Sequence, residues 1–309
     1  MTRIVRIRPN APPITIHHFG LYAPYILFTG VMSRRRYVGP MKLIDDVILI
    51  TGGTSGIGRE LATQLLARGN TLIVTGRDRE KLDRLEREQP RIHVRQSDVA
   101  DTQSIVALYA RVGSEFPALN VLINNAGIMR KINLQDRELA LDDVSREIDT
   151  NLTALVRMVT QFLPLLQAQP RAAIVNVSSG LAFTPFPPSP IYGATKAAVH
   201  SFTQSLRVQL KNTNIEVFEL APPYTRTPLQ DAFDAADVKG APVMEVDKMV
   251  RQALKGMERD QWEILPGMSK VLRFMSRVAP GFMVKALSGS VDSVLAQTKL
   301  LPANSSQKS

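Results

Sequence analysis

Cysteine is absent from the 309 residues, which excludes a disulfide framework, a thiolate nucleophile, zinc fingers and iron–sulfur clusters together. Histidine is almost as scarce. His17, His18, His93 and His200 nowhere form H-E-x-x-H, so a zinc hydrolase is disfavoured and no metal site is expected. No Gly-x-Ser-x-Gly elbow occurs, which removes the usual serine hydrolase on an α/β sheet. Residues 1–40 lack acids altogether while holding six arginines and five prolines. The apolar patch inside that head, Phe19 to Met32, is shorter than the ~20 residues needed to cross a bilayer, and Pro24 interrupts it.

The net charge of +10 would suggest a nucleic-acid or membrane partner. Beyond residue 40, however, 32 basic side chains face 28 acidic ones, with no basic stripe. Neither a nucleic-acid partner nor stable membrane insertion is expected. Apolar content of 44% and charged content of 21% are those of a folded protein. Residues 1–40 are expected to be an extension, disordered or outside the fold. Organelle targeting is the alternative, but the prolines oppose the amphipathic helix of a presequence. Residues 41–301 are expected to form one domain. Within it, 266–301 mixes Val, Leu, Phe and Met with lysine and arginine, and is read as a cover over a substrate cleft rather than a membrane helix. Residues 302–309 read as a solvated tail, and a cytoplasmic location is expected.

From Asp46 the chain alternates apolar runs with helical patterns, the signature of a mostly parallel sheet with helices on both faces. Strands are expected at Val47–Ile50, Thr71–Thr75, Ile92–Gln96, Val121–Asn124, Ala173–Val177, Glu216–Leu220 and Trp262–Leu265. Helices are expected at Gly58–Arg68, Arg79–Glu88, Thr102–Glu115, much of Asp142–Gln167, Tyr192–Leu210 and Glu245–Glu258. The fold class that follows is α/β: a single doubly wound (Rossmann) domain with a seven-stranded sheet.

The first strand runs into Thr51-Gly52-Gly53-Thr54-Ser55-Gly56-Ile57-Gly58. Glycine there lets the backbone turn sharply and approach a pyrophosphate seated at a helix N-terminus. Further along come Asp98-Val99 after the third strand and Asn124-Asn125-Ala126-Gly127 at the end of the fourth. Asn151 lies in the long helix, Ser178-Ser179 ends the fifth strand, and Tyr192-Gly193-Ala194-Thr195-Lys196 follows thirteen residues after Ser179. In this order and spacing the set resembles the short-chain dehydrogenase/reductase family, over about residues 46–265. The stretch Val175–Phe183 with Pro222-Pro223 is similar to the branch known as oxidoreductases of the D-alanylation operon.

The resemblance implies an NAD(P)-dependent enzyme acting on an alcohol or carbonyl of small or moderate size. Tyr192 would be the general acid/base, Ser179 would orient the substrate oxygen, and Asn151 would hold a water linking Lys196 to solvent. Lys196, one helical turn beyond Tyr192, is expected to lower the tyrosine pKa and, by resemblance, to hold the nicotinamide ribose. The coenzyme contacts implied are Gly52, Thr54, Ser55, Gly56, Ile57, Gly58, Asp98, Val99, Asn125, Ala126, Gly127 and Thr227, besides Tyr192 and Lys196. NADP(H) is expected over NAD(H), because NAD-users place an acid after the second strand and Gly76 stands there, with Arg77 beside it to meet a 2′-phosphate. Asp78 complicates this, since it could pair with Arg77 or take a ribose. The loop after the sixth strand departs from the family's Pro-Gly, reading Ala221-Pro222-Pro223-Tyr224-Thr225-Arg226-Thr227. Homodimers or homotetramers are implied by resemblance. A non-catalytic nucleotide sensor on the same fold is the alternative. A sugar-nucleotide epimerase is disfavoured, as barely forty residues follow Leu265.

Overall fold

The computed structural model describes residues 41–136, 138–231, 233, 242–289, 291 and 295. The expectations for residues 1–40 and 302–309 lie outside that range. Strands β1 (Val47–Thr51), β2 (Thr71–Gly76), β3 (Ile92–Gln96), β4 (Val121–Asn124), β5 (Ala172–Val177), β6 (Ile215–Leu220) and β7 (Glu263–Ile264) form one parallel sheet. Its order is β3-β2-β1-β4-β5-β6-β7. The chain winds outward from β1 to β3, then returns to the other side of β1 with β4. That reversal opens a crevice at the carboxyl ends of β1 and β4, where doubly wound sheets bind ligands.

Strand alternation divides the core between two faces. Ile48 and Ile50 pack with Leu61 and Leu65 of helix α1 (Gly56–Leu66) and with Met249 and Leu254 of α8 (Val246–Met257). Leu49 faces the opposite way, toward Ile105 and Leu108 of α3 (Thr102–Glu115) and Met158 and Phe162 of α6 (Ala154–Gln167). β5 is buried at all six positions, as a central parallel strand must be. Helix α2 spans Arg79–Glu88, and α7 runs Pro190–Gln209, starting two residues before Tyr192 because Pro190 suits the first turn. Met41 and Leu43 are buried in the first core, so the packed chain reaches back to residue 41.

The long helix expected over 142–167 is not continuous. It breaks into α4 (Leu141–Val144), α5 (Arg146–Ile148), a π-helical turn at Asp149–Thr153, and α6. A π turn swings one residue off the α-helical face. Here that residue is Asn151, whose amide is drawn onto Ile128 and Thr195. The first helix likewise begins at Gly56 rather than Gly58. Among the described residues, the segment after β7 forms two short helices, α9 (Ser269–Val278) and α10 (Pro280–Leu287). No described helix is long and apolar enough to cross a membrane.

Candidate active site

The turn after β1 works only without side chains. Gly52 and Gly56 have φ of +64° and +53°, the left-handed region that favours glycine. A Cβ on Gly58 would stand 2.4 Å from Asn125 Nδ2 and 2.5 Å from the Gly52 carbonyl. Ser55 precedes α1 in extended backbone, and its side chain caps nothing. The first turn of α1 carries no acid, so its amide donors meet no built-in anion. Thr54 lies against Gly76, Thr227 lies against Gly56, and Ile57 packs on the core beneath. These conditions fit a dinucleotide pyrophosphate.

Asn125 supports this loop from below. Its side-chain amide donates to the Thr51 and Gly52 carbonyls, and the amides of Asn125 and Ala126 both donate to Thr51 Oγ1. Asp98 accepts the Ala100 amide through its side chain and donates its own amide to Ser104 Oγ, and Val99 is buried in the second core. Gly127 sits where its Cβ would be 3.2 Å from Asn151 Oδ1 and 3.5 Å from Lys196 Nζ, which brings three expected site residues to one spot. Asn151 spends its amide on protein groups: Oδ1 accepts from Ile128 N, and Nδ2 donates to Ile128 O and Thr195 Oγ1.

Ser178 and Ser179 separate cleanly. Ser178 Oγ donates to the buried Glu219 carboxylate at 2.5 Å and is structural. Ser179 Oγ accepts from Leu181 N and lies near enough to the Tyr192 hydroxyl to lower its pKa. Tyr192 and Lys196 are both buried on one face of α7, and Lys196 Nζ lies 5.6 Å from the tyrosine ring centre while donating to the Val177 carbonyl at 2.9 Å. Burial pushes the Tyr192 phenol up to about 12, against a smaller downward pull from Ser179 and with a further push from Glu147. Burial pulls the Lys196 ammonium down to about 8. In the protein alone, then, desolvation outweighs the downward pull expected from Lys196. Near neutrality the tyrosine holds its proton and the lysine its charge, the state of a proton donor.

These two shifts oppose each other in stability. The folded chain holds the Tyr192 proton more tightly than the unfolded chain, so that stability is lost as pH rises from 10.0 to about 12. For Lys196 the unfolded chain is the tighter holder, so stability is present above 10.5 and lost as pH falls through about 8. Relative to a Lys196→Met variant, the native chain is expected to gain stability in urea titrations between pH of about 7 and about 10. A constant difference would contradict the buried-ammonium assignment.

One site residue escaped the sequence. Glu147, one turn before Asn151, is wholly buried, and its Oε1 accepts the Arg130 amide at 3.0 Å. Asn151 and Glu147 thus hold Ile128 and Arg130 in parallel, fixing the strand of chain beside Tyr192. Among the described residues, Glu147 Oε2 accepts no hydrogen bond, lying 3.7 Å from the Arg130 guanidinium, and burial raises the Glu147 pKa. The signal was an acid placed i, i−4 from Asn151 on the inward helix face. His200 binds Glu219 through Nδ1 at 2.7 Å. With Glu263 these groups lie within 4.8 Å of one another, but Glu219 is engaged by Ser178 and His200, and Glu263 pairs with Arg273.

At the end of β2, Gly76 occupies the place of the expected acid. Asp78 turns instead to cap α2, accepting from Lys81 N, and that bond lowers its pKa. The Arg77 side chain is exposed, with no ion pair or hydrogen bond among the described residues; only its carbonyl is used, by Gln96.

The model of the short chain dehydrogenases matches residues 46–237. The oxidoreductase DltE of Bacillus subtilis is 43% identical over 228 residues, covering 72% of this chain and 89% of that protein. Sulfoacetaldehyde reductase 2 of Chromohalobacter salexigens is 37% identical over 189 residues, 60% of this chain and 74% of that one. Among solved structures, a short-chain dehydrogenase from Sphingobium yanoikuyae in complex with NADPH superposes with a TM-score of 0.66 at 30% identity, covering 85% and 99% of the two chains. A second, from Burkholderia cenocepacia in complex with NADP, gives 0.69 at 24% identity, covering 80% and 99%, and bears on the fold alone.

Proposed function

The chain belongs to the short-chain dehydrogenase family of NAD(P)-dependent oxidoreductases acting on alcohols and carbonyls, and on that premise we propose that it is an NADP-dependent reductase with Tyr192 as its proton donor. The observation that carries this reading is the Ser179–Tyr192–Lys196 cluster at the carboxyl end of β5, beside the side-chain-free loop after β1. The coenzyme, when bound, supplies the hydride that reduces the carbonyl carbon. Everything else falls to the chain. Ser179 Oγ hydrogen-bonds the carbonyl oxygen and fixes it beside the Tyr192 hydroxyl, which releases its proton to that oxygen as negative charge builds. Lys196 stabilises the phenolate left behind, and Tyr192 regains its proton from solvent through Lys196 and water near Asn151.

Gly52, Thr54, Ser55, Gly56, Ile57 and Gly58 would hold the pyrophosphate, Asp98 and Val99 the adenine, and Asn125, Ala126, Gly127 and Thr227 the nicotinamide half. Lys196 would hold its ribose. Leu272 and Ser269 of α9 press on Gly180, next to Ser179, which supports a role for the tail as a cover over the substrate. Because one relative is a reductase of an aldehyde, small aldehydes head the substrate panel. The test follows NADPH absorbance against pooled aldehydes, ketones and quinones. Binding without oxidation across the panel would favour a sensor.

Coenzyme preference rests on Gly76, Arg77 and the outward cap of Asp78. An acid at position 76 would repel a 2′-phosphate, and the exposed guanidinium attracts one. NADPH is expected to bind more tightly than NADH, by roughly tenfold to a hundredfold for one charge-assisted contact. Most of that margin should vanish in Arg77→Ala. Dissociation constants that favour NADH, or discrimination unchanged in the variant, would refute the assignment.

A further inference from the structure

Helices α9 and α10 present an apolar face to solvent. Phe274 and Phe282 are each 64% exposed, Val278 63% and Val271 45%, with Val284 close behind. Val271, Phe274 and Val278 follow a three-then-four spacing, so they share one side of α9. Solvent-exposed phenylalanines grouped this way are rare on a surface that only meets water. The orientation is fixed from the other side. Ser269 is buried, Leu272 presses on Gly180, Arg273 pairs with Glu263 and lies 5.3 Å from the Phe183 ring centre, and Met283 is buried beneath α10.

Charge completes the pattern. Lys270, Arg277 and Lys285 flank the apolar residues and are exposed. From Ile264 to Val291 the sequence holds no acid at all, in contrast with α2, where Arg79 and Asp83 pair along the helix. Two copies meeting about a two-fold axis through this face would set cations against cations. An apolar stripe edged by cations without acids instead matches the boundary between acyl chains and anionic headgroups.

We propose that the α9–α10 face docks the protein peripherally on an anionic lipid bilayer, with Phe274, Val278 and Phe282 entering the headgroup boundary. Docking there places the lipid surface against the outer side of the helix whose inner side touches the turn after Ser179. The inference rests on exposure and charge, and stands apart from the catalytic reading.

The test is flotation of the full chain with vesicles of phosphatidylcholine alone and of equal phosphatidylcholine and phosphatidylglycerol. The expected result is flotation with the anionic vesicles only, released by raising the salt. Lys270→Glu/Arg277→Glu/Lys285→Glu should weaken partitioning by at least about thirtyfold. Phe274→Ser/Phe282→Ser should weaken it at least about tenfold, and both variants should melt as the native chain does, since the changed side chains are exposed. No flotation would overturn the proposal. So would flotation equal in native and variant chains, which would move the binding to another surface such as the arginine-rich head. Loss of self-association in the phenylalanine variant, with vesicle binding intact, would assign the face to a second copy instead.

Discussion

Tyr192→Phe is expected to reduce turnover by about a hundredfold to ten-thousandfold, the usual worth of a placed general acid, while leaving NADPH affinity nearly unchanged. The ring keeps its buried seat on α7 and its packing; only the hydroxyl that meets Ser179 is removed. Lys196 retains its bond to the Val177 carbonyl, so the coenzyme side of the site is undisturbed. The two readouts must diverge. Turnover within a few-fold of native would remove Tyr192 from the mechanism, and a joint loss of turnover and NADPH binding would mean that the substitution had damaged the fold.

Gly58→Ala should produce the largest loss of coenzyme affinity. Its new methyl would fall 2.4 Å from Asn125 Nδ2 and 2.5 Å from the Gly52 carbonyl, with Gly53 Cα at 3.0 Å. Backbone cannot retreat on one side, so Asn125 must leave and surrender its bonds to Thr51 and Gly52. Two lost hydrogen bonds and the local strain together cost about 2–4 kcal/mol. That corresponds to a melting point lower by roughly 10 °C in a domain of this size, and the same cost falling on the bound state weakens NADPH binding by about thirtyfold to a thousandfold. Gly113→Ala in α3 is the control of opposite sign. Its methyl would meet only Leu165 at 3.7 Å, and alanine in a helix interior should stabilise by about 0.5–1 kcal/mol. Equal effects at the two glycines would show that the turn after β1 is not the tight cradle described.

Where local rules decide the structure, the sequence was legible. Helices α2 and α3 begin where Asp78 and Asp101 cap them, and β3 and β4 end at polar residues before loops. The grouping of Tyr192 with Lys196 was legible for a different reason: the two stand one turn apart on a helix face, and the left-handed turn at Gly52 calls for glycine. What stayed hidden depends on contacts distant in sequence. The π turn at Asn151 exists because Ile128 and Thr195, twenty-three and forty-four residues away, draw its amide in. Glu147 looks like any acid on a helix until the fold buries it under Arg130. The pKa expectation for Tyr192 failed in the same way, since burial depth cannot be read from an i, i+4 spacing. Asp78 was ambiguous in sequence, and the structure shows it capping α2 through the Lys81 amide.

Direct hydride transfer to a carbonyl, with Tyr192 supplying the proton, is tested by following a deuterium label. NADPH carrying deuterium at the transferable position of nicotinamide C4 is incubated with the native chain and the best carbonyl from the panel, and the product alcohol is analysed by mass spectrometry. The expected result is one deuterium on the carbinol carbon per coenzyme oxidised, an exchangeable solvent proton on the oxygen, and the same product at a much lower rate from Tyr192→Phe. Coenzyme oxidation without deuterium in the product, or labelled product formed by Tyr192→Phe at the native rate, would contradict it.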